Sequence, residues 1–108
     1  MIEIKLRPEY QCSPLWYTDI SFFNDGMNID FSSLSISDVL KKKIDDWRKE
    51  YDSTLNMDYP PDSSFPSKEA FDLFKKKGRE LRDNLQLELG SNYQVDYDFD
   101  KYEYEDWL

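Results

Sequence analysis

The side chains able to do chemistry in this chain are mostly carboxylates. There is no histidine and a single cysteine, Cys12. Without imidazole the chain lacks the usual neutral-pH general base and the commonest metal ligand. Ser–His–Asp and Cys–His nucleophile systems are excluded on the same ground. One thiol cannot build a cysteine/histidine zinc site, and no GxxxxGK[ST] or GxGxxG phosphate-binding fingerprint is present. Cys12, with no catalytic base near it in sequence, reads as a core thiol.

The carboxylates do not form an evident dyad either. Asp45 and Asp46 are adjacent on a predicted helix, so their side chains diverge by about 100°. Asp96, Asp98 and Asp100 open like a calcium loop, but Lys101 occupies the glycine position and Trp107 that of the bidentate glutamate. Neither a metal nor a cofactor is therefore expected, and no catalytic residue is assigned. The conspicuous stretch is the C-terminus from Asp96 to Trp107, where acids alternate with rings. Aromatics bury area at low entropic cost and carboxylates pair with Arg and Lys, so this composition suits capture of a basic protein surface. The expected partner contacts are Asp96, Asp98, Asp100, Tyr102, Glu103, Tyr104 and Glu105. Strand alternation turns Tyr97 toward the buried side. The plainer alternative is a solvated strand face followed by a frayed end.

Charge narrows the partner class. With 23 acidic and 14 basic residues the net charge is −9. Nucleic acid and anionic membranes would be repelled, whereas opposite potentials steer a cationic protein toward such a surface. The same charge would also simply keep the protein soluble. A lone cysteine permits no internal disulfide and fits a reducing compartment. Residues Met1 to Pro8 contain no apolar signal core, and no segment approaches a membrane span of about 20 apolar residues. Cytoplasmic residence is the expectation.

The elements that must position these residues can be read from periodicity. Residues 2–6 alternate, with Ile2, Ile4 and Leu6 on one side, as in a half-buried strand stopped by Pro8. Leu15-Trp16-Tyr17 predicts a second strand within 14–18. Phe22-Phe23 extends it or begins another, and Asn24-Asp25-Gly26 is a turn signal. Leu40, Ile44, Trp47, Tyr51 and Leu55 form one helical stripe over about 38–55, capped by Ser37. Pro60-Pro61 ends that run. Phe71, Phe74, Gly78, Leu81, Leu85 and Leu89 line a second helix over 68–89, capped by Ser67 and closed by Gly90 in a left-handed cap. Gly78 on the stripe predicts close approach of a bulky neighbour such as Trp47. Tyr93, Val95, Tyr97 and Phe99 alternate with polar residues as a last strand over 92–99. The expected fold is α+β, a small antiparallel sheet packed by an antiparallel two-helix hairpin. One domain over 1–108 is expected, with an acidic, aromatic tail at 100–108 that could be flexible, and a monomer or weak dimer.

Several segments resemble small acidic bacterial immunity proteins of contact-dependent inhibition and polymorphic-toxin systems. They are Lys5-Leu6-Arg7-Pro8-Glu9-Tyr10-Gln11-Cys12-Ser13-Pro14-Leu15-Trp16, then Trp47-Arg48-Lys49-Glu50-Tyr51-Asp52-Ser53-Thr54-Leu55-Asn56. Ser64-Phe65-Pro66, Gly78-Arg79-Glu80-Leu81 and Glu88-Leu89-Gly90 complete the set. Most of these residues read physically as fold determinants, and the tail after Asp100 falls outside the resemblance. It implies a cytoplasmic protein that binds and inactivates a cognate toxin, often a nuclease, without catalysis. A non-catalytic adaptor or regulatory subunit for a basic host protein is the alternative that charge alone leaves open.

Overall fold

In a computed structural model, residues 2–18, 28–55, 58 and 64–104 are described. Four strands, β1 (Ile2–Leu6), β2 (Leu15–Tyr17), β3 (Asn28–Ile29) and β4 (Tyr93–Tyr97), form one sheet in the order β3-β2-β1-β4. Two helices, α1 (Asp38–Asp52) and α2 (Lys68–Leu89), lie between β3 and β4 in sequence. The architecture is the α+β arrangement that alternation and helical period predict. Phe22-Phe23, Asn24-Asp25-Gly26 and Pro60-Pro61 lie outside the described residues.

The sheet is mixed, which corrects the expectation of an antiparallel one. β1 pairs antiparallel with β2, but β4 runs parallel to β1, with Ile4 opposite Val95 and Leu6 opposite Tyr97. The helical pair carries the chain back to the end of the sheet where β1 began, so β4 retraces β1's direction. A period of two reports which face is buried and is silent on strand direction.

One sheet face is packed. Ile4, Leu6, Leu15, Ile29 and Val95 are buried beneath the helices. They meet Leu40, Ile44, Trp47 and Tyr51 of α1 and Phe71, Phe74, Leu81 and Leu85 of α2. The helices are antiparallel: Glu88 accepts from the Ser37 amide at 2.6 Å, and Lys77 reaches Glu50 at 3.3 Å. Both predicted caps are present, Ser37 Oγ accepting from Leu40 N and Ser67 Oγ from Ala70 N, each at 3.1 Å. α1 stops at Asp52 rather than near Leu55. There Ser53 Oγ donates to Glu50 O at 2.6 Å and Thr54 Oγ1 to Tyr51 O at 2.7 Å, so hydroxyls take carbonyls that further turns would have used. The last strand likewise ends at Tyr97, although Phe99 beyond it is buried.

Gly90 closes α2 with φ 85° and ψ −169°. This is not the left-handed helical cap expected from sequence but an extended positive-φ conformation that only glycine adopts readily. Space is no obstacle, because a Cβ there would meet nothing within 4 Å. We therefore expect Gly90→Ala to cost about 1–3 kcal/mol through backbone strain alone, measured by urea unfolding.

The outer edge of β4 is closed by side chains from α2. Gln86 accepts from Val95 N at 2.9 Å and donates to Tyr93 O at 2.8 Å, while Arg82 Nε donates to Val95 O at 2.7 Å. An edge strand otherwise presents these groups as a template for pairing. Gln86 and Arg82 satisfy them within the fold and fix α2 against the strand.

Candidate partner-binding surface

Alternation in β1 and β4 determines where the acidic residues point. Val95 is buried and Asp96 is exposed on the opposite face. Asp98 continues the pairing, its amide donating to Leu6 O at 3.0 Å. Its carboxylate lies 4.0 Å from Arg7 and 3.2 Å from Lys101. Asp96 accepts a hydrogen bond from Gln94 Nε2 at 3.3 Å and makes no ion pair among the described residues.

Past Asp98 the chain leaves the sheet and folds against α2. Asp100 pairs with Arg79. Lys75, buried on α2, donates to Tyr102 O at 2.8 Å and lies 3.7 Å from the Glu103 carboxylate. The Tyr102 ring packs on Phe99 at 5.6 Å and the Tyr104 ring on Phe71 at 5.9 Å. The predicted contact residues thus divide into two groups. Asp96 and Asp98 stand on the sheet, and Asp100, Tyr102, Glu103 and Tyr104 lie against α2. Glu105 falls outside the described residues. Sequence reading missed Lys75 and Arg79 as partners, since both are more than 20 residues distant from the acids they meet.

Tyr97 turns inward, as alternation predicts. Its hydroxyl donates to Lys75 O at 3.0 Å and its ring lies 6.3 Å from that of Trp47. Burial, reinforced by nearby Asp100, pushes its phenol well above the ordinary tyrosine value. Tyr51 is raised too, by burial first and then by Tyr10 and Glu9. Both phenols stay neutral at physiological pH and serve packing. On α1, Asp45 is held below the usual carboxylate range by hydrogen bonds from Arg48 and Lys49.

Charge is segregated by element. α1 holds five acids and five bases, and α2 five acids and six bases. The helices together are +1, so the residues outside them sum to −10 and the whole chain to −9. The net negative charge is thus carried by residues outside the two helices.

Hollows also open among the described residues. One of about 240 Å³ lies between the helices and includes Asp46, Glu50, Glu80, Lys43 and Lys77, with Glu50 already paired to Lys77. Another of about 380 Å³ is walled by Tyr10, Tyr51, Phe99 and Tyr102 beneath Arg7 and Glu9. Among the described residues no three acidic or thiol side chains converge to hold a metal ion. No helix among them is long and apolar enough to cross a membrane.

A family model described as Serratia CdiI immunity protein-like matches residues 2–100. No curated protein matches the chain at a significant level.

Proposed function

The chain belongs to the Serratia CdiI immunity protein-like family, and from that membership we propose that it binds a cognate toxin domain in the cytoplasm and neutralises it stoichiometrically, without catalysis. The match over residues 2–100 carries the reading. Charge supports it, because the residues outside the two helices sum to −10 while the helices together are +1, and such a balance favours a cationic partner. A toxin domain that grips nucleic acid would present such a surface. The proposed contacts are Asp96 and Asp98 on the sheet, with Asp100, Tyr102, Glu103, Tyr104 and Glu105 extending the surface along the tail. Asp96 is the strongest of these, since it makes no ion pair among the described residues that binding would break.

Co-expression with a candidate cognate toxin domain tests the function. Growth should be rescued and the two proteins should co-purify at one to one. Failure to bind or to rescue would refute neutralisation. Reversing Asp96 and Asp98 to Lys should weaken binding by roughly tenfold to a hundredfold while leaving the melting temperature within a few degrees. Unchanged affinity in that variant would remove this surface from the interface.

A further inference from the structure

We infer that the toxin's cationic surface docks on the open face of the sheet, with Trp16 as the aromatic anchor of the interface. This rests on the neutralising role proposed above and extends the contact surface beyond the C-terminal acids. Leu15 is buried and Trp16 points the other way, into a row that the pairing register defines. Asn28, Trp16, Lys5 and Asp96 lie side by side across β3, β2, β1 and β4. Glu3 and Gln94 form the row on one side of it, and Arg7 and Asp98 the row on the other.

Three observations favour this face. No described element covers it, although β1 and β4 are a parallel pair and parallel strands are ordinarily buried on both faces. Its indole is already fixed, since Trp16 Nε1 donates to Arg7 O at 3.0 Å, so binding would not have to immobilise the ring. Its acids are available: Asp96 and Glu3 are exposed and make no ion pair among the described residues, whereas Asp100 and Glu103 are matched by Arg79 and Lys75. A large ring with Lys5 beside it and the exposed carboxylates of Asp96 and Glu3 farther along the same face, in a chain whose residues outside the helices sum to −10, is complementary to a surface rich in Arg and Lys.

The test is calorimetric titration of the cognate toxin domain with wild-type protein, Trp16→Ala, Glu3→Arg and, in the hollow between the helices and away from the sheet, Glu80→Arg. Trp16→Ala and Glu3→Arg should each weaken binding about tenfold or more, and Glu80→Arg by less than about twofold. Glu3→Arg alters only an exposed side chain and decides the matter if Trp16→Ala does not fold. Wild-type-like affinity in Glu3→Arg, and in Trp16→Ala where it folds, overturns the docking face and leaves the neutralising role standing. A wild-type chain that does not bind the toxin overturns both.

Discussion

Phe74→Ala should lower the unfolding free energy by about 3–5 kcal/mol, the largest effect expected of any single truncation in this chain. Phe74 is fully buried and stacks on Trp47 with centroids 4.4 Å apart and planes at 4°. It also meets Tyr51 at 5.7 Å, Phe65 at 5.1 Å and Phe99 at 5.3 Å. One ring therefore joins both helices, the segment that precedes α2 and the turn that follows β4. Its removal leaves a cavity whose walls belong to separate elements and cannot collapse together. The melting temperature should fall by roughly 12 °C or more, given about 4–8 °C per kcal/mol in a domain of this size. Leu73→Ala, one position away and half exposed, should stay within about 0.5 kcal/mol. A loss in Phe74→Ala no larger than this control would mean that the aromatic cluster does not hold the fold.

Gly78→Ala should also destabilise, against the sign that helix propensity gives. In an exposed helix interior alanine is favoured over glycine by about 1 kcal/mol. Here a Cβ would stand 2.8 Å from Trp47 Cζ2 and nearer still to the Tyr97 phenol. Neither ring can withdraw freely. Trp47 Nε1 donates to Phe74 O at 3.0 Å, and Tyr97 donates to Lys75 O at 3.0 Å. Overpacking of this kind costs about 1–3 kcal/mol, so denaturant unfolding should show a net loss of about that size. In a Tyr97→Phe background, where the nearest atom is gone, the penalty should shrink. A double-mutant cycle would read that coupling directly. A stabilised Gly78→Ala would show that the helix and strand do not approach as closely as described.

These two positions also show what the sequence could and could not disclose. The helical stripe places Phe74 and Gly78 on one face, and glycine in that stripe predicts a bulky neighbour, which Trp47 is. Tyr97 is the nearer neighbour, and nothing local signals it, because contact between residues 19 apart depends on where β4 docks. The direction of β4 was hidden for a related reason: alternation is the same in parallel and antiparallel strands. Gln86 and Arg82 read as ordinary polar positions of a helix surface, yet they satisfy the backbone edge of β4. The tail was legible in composition and not in pairing. Acids and rings mark it as unusual, but only the fold brings Arg79 to Asp100, Lys75 to Glu103 and Phe71 to Tyr104. Trp16 was read correctly as part of a strand. Its place on the face that no described element covers became visible only once Leu15 and the register with Lys5 fixed its side.

The central proposal is that an acidic, mostly non-helical surface captures a cationic toxin domain. Its most direct test is the dissociation constant of the complex with the cognate toxin domain, measured by calorimetry across ionic strength. We predict one-to-one binding that weakens steadily as salt rises from about 50 to 500 mM, as expected when screening acts on facing opposite charges. Absence of binding, or an affinity indifferent to salt, would contradict it.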